Sequence, residues 1–168
     1  MRIVVNDANI LIDLVELELL PHFFDLDFEF QTTNLIIDEL LEEQLGSLLP
    51  YIDQDILIVE EVTEEDIFEI NLIELSKPNL SPQDCSAYYQ AKKLSATLLT
   101  SDNSLRRFAI ENQIEIHGHL WVFDQMVASN TITGQRAAEK LTELCEVVNT
   151  RLGLPQQECS KRIKNWTS

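Results

Sequence analysis

The chain has 168 residues, of which 12 are basic and 29 acidic, so its formal net charge is −17. Apolar residues make up 45% of it, enough for a hydrophobic core, and no apolar run reaches the ~20 residues of a membrane span. The acids concentrate in residues 1–91. This acidity argues against a protein that coats nucleic acid without sequence specificity, because polyanions repel, but it permits a basic partner or a cation held by carboxylates.

The predicted elements alternate between strands and helices almost throughout the chain. In chain order they are a strand over 2–5, a helix over 9–20, a strand over 28–31, a helix over 34–49, a strand over 56–59, a helix from a capping box at 63–66 to about 75, a helix over 82–94, a strand over 96–100, a helix over 103–112, a strand over 114–116, and helices over 120–129 and 135–152. The helix over 34–49 is expected to begin at Thr32 or Thr33 and to end at Pro50. The tail after Pro155 is polar and weakly basic.

This alternation predicts an α/β fold: a three-layer αβα sandwich with a central parallel sheet of about four to five strands and right-handed crossovers. We expect a single domain over 1–168, with a core over about 1–130 and a C-terminal helix and tail over 131–168. The three cysteines lack paired spacing, which argues against a disulfide framework or a zinc site. We therefore expect a cytoplasmic protein without a signal peptide.

Of four candidate acids, two stand where a parallel sheet collects its ligands, at the carboxyl ends of its strands, and a third could lie at the same edge. Asp7 and Asp102 each follow a predicted strand, and Asp84 opens a helix that leads into one. Glu39 lies in the second predicted helix. Carboxylates that converge repel one another, and a hard divalent cation such as Mg²⁺ or Mn²⁺ relieves that repulsion through oxygen ligands.

Each acid also has a purely structural explanation. Asp7 and Asp102 can cap the helices that follow them, and Asp84 is the last residue of a Ser-x-x-Asp capping box. Glu39 shares an acidic helical face with its neighbours, a pattern typical of a solvated surface. Spacing alone leaves both interpretations open.

Four segments, in order, resemble the motifs of PIN-domain nucleases. They are the stretch 7–14, Thr33 followed six residues later by Glu39, the stretch 81–91, and the stretch 98–102. No one of these motifs is specific, and the ordered set of four is a stronger signal than any one of them. Residues 118–124 are also similar to the end of stand-alone bacterial and archaeal PIN proteins, many of which are VapC-like toxins of toxin–antitoxin pairs.

The resemblance implies an Mg²⁺- or Mn²⁺-dependent ribonuclease that hydrolyses RNA phosphodiester bonds with a metal-activated water. The family's acidic residues, which bind the metal and carry catalysis, would map to Asp7, Glu39, Asp84 and Asp102. Asn9 and Thr100 would be accessory residues that orient these acids. The resemblance also implies a homodimer and a cognate antitoxin protein, with RNA as the substrate.

Four basic residues could bring RNA to this acidic protein: Lys92, Lys93, Arg106 and Arg107. Two adjacent bases on a helix are also typical of a solvated face, so both readings stay open. The main alternative function is a catalytically weak or inert PIN-fold binding protein that acts through protein partners. A phosphotransfer enzyme with Asp7 as nucleophile is a third, but it expects a second aspartate where this chain has Asn9.

Other catalytic arrangements find little support in the sequence. There is no GxSxG motif and no Gly-rich phosphate loop, and no Ser-His-Asp set is expected. His117 and His119 would share a face if their strand continued, but they lack the further ligands of a transition-metal site. Cys85 lies beside Asp84, which disfavours its thiolate, so we interpret it as a packing residue.

Overall fold

The computed structural model describes residues 1–168 and contains five strands and ten α-helices. The strands are β1 (Arg2–Asn6), β2 (Phe28–Thr33), β3 (Leu57–Glu60), β4 (Thr97–Leu99) and β5 (Ile116–His117). The helices are α1 (Ala8–Glu16), α2 (Leu20–Phe24), α3 (Asn34–Ile37), α4 (Glu42–Asp53), α5 (Glu64–Ser76), α6 (Pro82–Leu94), α7 (Asn103–Glu111), α8 (His119–Ala128), α9 (Gly134–Glu143) and α10 (Gln156–Thr167). A π-helical turn, Leu144–Val148, directly extends α9. None of these helices combines the length and the apolar character needed to span a bilayer.

The five strands form one sheet in the order β3-β2-β1-β4-β5, with every neighbouring pair parallel. Successive residues of the central strand β1 face opposite layers: Val4 belongs to a core of 22 buried residues and Val5 to a second core of 13. Burial on both faces is typical of parallel sheets covered by helices. The predicted three-layer α/β fold with its parallel sheet is confirmed.

The strand order places a topological switch point at β1. The chain leaves β1 toward β2 and β3 on one side and returns to β4 and β5 on the other. Connections therefore diverge at the carboxyl ends of β1 and β4, the position at which sheets of this type typically form their ligand-binding crevice. The loops that follow these two strands begin with Asp7 and Thr100.

The first two predicted helices are wrong in extent. The helix predicted over 9–20 ends at Glu16, and Glu18 takes a left-handed backbone (φ 58°) before the short α2 begins. The helix predicted over 34–49 is two helices, because the side chain of Gln44 accepts the Leu41 N–H at 2.9 Å and starts a new one. Pro50 lies inside α4 instead of ending it.

The C-terminal region also differs from expectation. The helix predicted over 135–152 changes to π-helical geometry after Glu143 and ends at Val148. The polar tail forms α10, which packs along α9 and adds Cys159 to the larger core. The Arg162 guanidinium on α10 binds Asp124 on α8 at 2.9 Å, which ties this last helix to the body of the fold.

Candidate active site

Asp7 is the most deeply buried acid of the predicted set, with 3% of its surface exposed. Its Oδ1 accepts the Ala8 N–H at 2.8 Å, which caps α1, and its Oδ2 accepts the Thr100 hydroxyl at 2.7 Å. Burial raises the pKa of Asp7 to about 7, and the nearby charges of Asp84 and Asp102 act in the same direction. The two hydrogen bonds oppose this shift without cancelling it.

Thr100 joins Asp7 to the loop after β4. Its hydroxyl donates to Asp7 and accepts the Asp102 N–H at 3.1 Å, and the side chain is fully buried. Asp102 in turn accepts the Leu105 N–H at 2.8 Å and caps α7. Arg106 donates to the Thr100 carbonyl oxygen at 3.0 Å. The loop is therefore fixed to Asp7 on one side and to α7 on the other.

Asp84 occupies the first turn of α6 in the predicted capping box. Its Oδ2 accepts the Ser81 N–H, and the Ser81 hydroxyl accepts the Asp84 N–H, both at 3.0 Å. The structural interpretation of this aspartate is thus confirmed, because its carboxylate caps α6. Burial, and then the charge of Asp102, raise the pKa of Asp84. One carboxylate can cap the helix and still offer an oxygen to a ligand.

Glu39 and Asn9 lie at the exposed margin of the site. Glu39 is in the turn after α3, outside any helix, so its predicted helical position is wrong. Partial burial and the charge of Asp84 raise the pKa of Glu39, which places it near that acid. Asn9 is exposed on the first turn of α1 and makes no hydrogen bond to the acids.

The charges of these acids act on one another, and no basic side chain offsets the raised pKa of Asp7, Glu39 or Asp84. No three His, Cys, Asp or Glu side chains stand in ready-made coordination geometry. Asn6, beside Asp7, carries the only buried side-chain oxygen or nitrogen without a hydrogen-bond partner, Oδ1. An oxygen-only donor set of this kind fits a hard divalent cation such as Mg²⁺, which keeps several waters and needs one or two carboxylates.

The four predicted RNA contacts divide into two groups. Lys92 and Lys93 lie at the opposite end of α6 from Asp84, about 12–14 Å along the helix. Lys93 there pairs with Asp66 at 3.4 Å. The structure does not bring these lysines to the acids.

The arginines, in contrast, lie on α7, the helix that Asp102 caps. Arg106 contacts the Thr100 carbonyl, and Arg107 lines a pocket of about 110 Å³ with Lys77 and Ser104. Arg106 and Arg107 follow Asp102 by about one turn, but of the two only Arg106 is bonded to the loop that carries Thr100 and Asp102.

The expectation that the chain has no Ser-His-Asp set is wrong. Ser101 Oγ lies 2.6 Å from His119 Nδ1, and His119 Nε2 lies 2.7 Å from Asp13 Oδ2. His119 begins α8, whereas His117 ends β5 and stacks on Trp121, so the two histidines do not share a site. No local sequence pattern predicts this cluster, because its members come from three elements that are distant in the chain.

The fold and the site define a class of protein: a parallel α/β protein with Asp7, Asp84 and Asp102 at the N-termini of three helices around the switch point of its sheet. A family model described as a PIN domain matches residues 3–167, and the chain belongs to that family. The PIN domain is a nuclease-type fold whose members generally use divalent metal ions. The match includes α10, which lies beyond the segments that carry the resemblance in the sequence. No curated protein matches the chain.

Two equivalent capping boxes allow the role of Ser81 to be separated from helix stability. Replacing Ser81 by alanine should cost about 1 kcal/mol of unfolding free energy and weaken Mn²⁺ binding, because the lost hydroxyl no longer accepts the backbone N–H of Asp84 and the turn that carries this acid loosens. Replacing Thr63, which caps α5 in the same way, should cost a similar amount and leave Mn²⁺ binding unchanged. Urea denaturation and a Mn²⁺ titration of both variants measure this. Equal loss of Mn²⁺ affinity in the two variants would contradict the assignment.

Proposed function

We propose that this PIN-domain protein is an endoribonuclease that depends on Mg²⁺ or Mn²⁺. The observation that carries the proposal is Asp7, a buried carboxyl whose pKa rises to about 7 beside Asp84 and Asp102, with no base to neutralise it. Burying carboxyl groups near one another costs free energy in a protein without a ligand, and the binding of a cation offsets that cost. Perturbed carboxyls in a crevice are also typical of functional sites.

In this proposal three of the four acids are held by a neighbour, and each of the four presents an oxygen to the cation. The hydroxyl of Thr100 orients Asp7, and Ser81 orients Asp84. Asp102 is oriented by capping α7, and Glu39 completes the set from the exposed margin. The bound cation would supply an acidified water and stabilise charge on the phosphate. Arg106 and Arg107 would contact the phosphates on either side.

Cleavage of a pool of structured RNAs tests the proposal. We expect cutting with Mn²⁺ or Mg²⁺, none with EDTA, and linear phosphate ends, because water is the nucleophile. Cyclic phosphate ends that persist in EDTA would identify a contaminating ribonuclease that uses the 2′-hydroxyl of RNA. Absence of cutting, together with absence of cation binding, would contradict the proposal.

The finer proposal is that the nuclease is a VapC-like cytoplasmic toxin, held inactive by a cognate antitoxin. The net charge of −17 favours a basic partner segment at the acidic crevice, and all three cysteines are free thiols. Induced expression in bacterial cells should arrest growth, and the Asp84→Asn variant should not. Equal arrest by both proteins would count against a toxin that acts through this site.

We further propose a homodimer through α5, whose apolar side chains are the largest exposed group on one element: Ile67, Phe68, Leu72 and Leu75. The adjoining groove carries acids of α5 on one wall and Lys92 and Lys93 of α6 on the other. A two-fold axis would set the acids of one copy against the lysines of its partner. The patch is therefore self-complementary in charge as well as apolar.

Sedimentation at micromolar concentration tests this interface. The wild type should sediment at twice the chain mass of 19.3 kDa, and the Phe68→Glu variant at that mass. Ile110→Glu, at an equally exposed position on α7, is the matched control and should remain dimeric. A monomeric wild type would rule the dimer out.

A catalytically inert binding protein is the second candidate, and one observation favours it: no three acids stand in ready-made coordination geometry. An inert fold has no reason to gain stability from Mn²⁺. A rise in melting temperature with Mn²⁺ that is lost in Asp7→Asn therefore favours the enzyme, and its absence favours the binding protein.

A further inference from the structure

The chain buries a hydrogen-bonded cluster that the proposed chemistry does not use. His119 is 3% exposed and lies between Ser101 and Asp13, at 2.6 and 2.7 Å. Asn149, just after the π-helical turn, donates to Asp13 Oδ2 at 3.0 Å. The cluster thus joins α1, the loop after β4, the start of α8 and the C-terminal region.

The directions of these hydrogen bonds follow from the groups present. The Asp13 carboxylate only accepts, so Nε2 of His119 carries the proton between them. Ser101 Oγ already accepts the backbone N–H of His119 at 3.1 Å, so its hydroxyl proton is available to Nδ1. Ser101 is therefore held by both the backbone and the side chain of His119.

Ser101 stands between the two residues that connect the loop to the acids. Thr100 on one side holds Asp7, and Asp102 on the other caps α7. The loop also rests directly on Gly118, where an added Cβ would lie only 2.6 Å from Ser101 Oγ. A shift of the Ser101 backbone would displace Thr100 and Asp102, which are its neighbours in the chain.

We propose that His119 is a positioning residue for the acidic site: with Asp13 and Asn149 behind it, it fixes Ser101 and so sets the position of Asp102 relative to Asp7. The proposal rests on the proposed function, since it assigns His119 to the cation site made by those acids. It also gives the C-terminal region a role in that site, because Asn149 supports the same cluster. Groups that hold metal ligands in place typically contribute tenfold or more to metal affinity.

Two substitutions of His119 each keep the hydrogen bond of one ring nitrogen and remove that of the other. The amide of asparagine replaces Nδ1, so His119→Asn keeps the bond to Ser101 and loses that to Asp13. The longer amide of glutamine replaces Nε2, so His119→Gln does the reverse. Both remove a buried ring, so their losses of stability should be similar, whereas only His119→Gln should disturb the loop. His117→Gln, two residues away and outside the cluster, is the control.

The first readout is Mn²⁺ affinity, measured by calorimetry on purified full-length protein. We expect His119→Gln to bind Mn²⁺ about tenfold or more weakly than His119→Asn and the control. The second readout is hydrogen exchange of the Asp102 and Leu105 amides in metal-free protein. These amides should exchange about tenfold faster in His119→Gln, because they bond to Thr100 and Asp102.

Ser101→Ala, at a half-buried position, repeats the test without removing the buried ring. It should weaken Mn²⁺ binding as much as His119→Gln, and the double variant should lose no more than either. Equal Mn²⁺ affinity in His119→Asn and His119→Gln, or additive losses in the double variant, would overturn the proposal. If wild-type protein binds no Mn²⁺, the proposed function fails, and the exchange of the two amides still decides whether His119 positions the loop.

Discussion

Replacing Asp7 or Asp84 by asparagine should lower kcat/KM for metal-dependent RNA cleavage by about 10³-fold or more. Each substitution keeps the shape of the side chain and removes one negative charge from the cation site. A cation that stabilises a transition state contributes several kcal/mol, and each factor of ten in rate corresponds to 1.36 kcal/mol. Glu39→Gln should have a smaller effect, because Glu39 lies at the exposed margin.

Asp66→Asn is the matched control for Asp84→Asn. Asp66 holds the same position in the capping box of α5, where the Thr63 N–H and the Tyr89 hydroxyl hold its pKa at about 2. Its substitution should lower stability and leave cleavage intact. Cleavage by Asp84→Asn at the rate of Asp66→Asn would show that Asp84 is only a helix cap.

The second large effect is on the pH dependence of folding in the absence of a cation. Folded protein keeps the Asp7 proton up to about pH 7, whereas the unfolded chain releases it near 3.8. The folded state therefore binds more protons between these values, and the free energy of unfolding should fall as the pH rises from about 4 to 7. The shift corresponds to as much as roughly 4 kcal/mol.

The Asp7→Asn variant should lose most of this pH dependence. At pH 8 and without cation it should be more stable than the wild type, because the wild type then buries an ionised carboxylate. The raised pKa values of Glu39 and Asp84 add a smaller slope of the same sign, which the variant keeps. Urea denaturation followed by circular dichroism between pH 4 and 8 measures both proteins. If the stability of Asp7→Asn depends on pH as steeply as that of the wild type, the Asp7 carboxyl is not the titrating group.

Local patterns predicted the fold well where one short segment decides the structure. Both capping boxes, at Thr63 and Ser81, form as expected, because their hydrogen bonds join residues three apart. The alternation of strands and helices sufficed for a parallel sheet. The break between α3 and α4 was missed, because it depends on one side-chain bond from Gln44 that competes with a continuous helix.

The site was predictable to a similar extent. The positions of Asp7 and Asp102 at strand ends follow from topology alone. Both acids also cap a helix, so the structural interpretation holds for them at the same positions. The cluster around His119 was not predictable, since it joins residues up to 136 positions apart. Helix α10 was missed because its apolar residues are few, and packing on α9 rather than its own pattern stabilises it.

Calorimetric titration of metal-free protein with Mn²⁺ at pH 8 tests the central claim most directly, because every proposal about the reaction depends on a cation held by these acids. The account predicts saturable binding by the wild type and by Asp66→Asn, and its loss in Asp7→Asn and Asp84→Asn. Absence of binding by the wild type, or binding by Asp7→Asn with unchanged affinity, would contradict it.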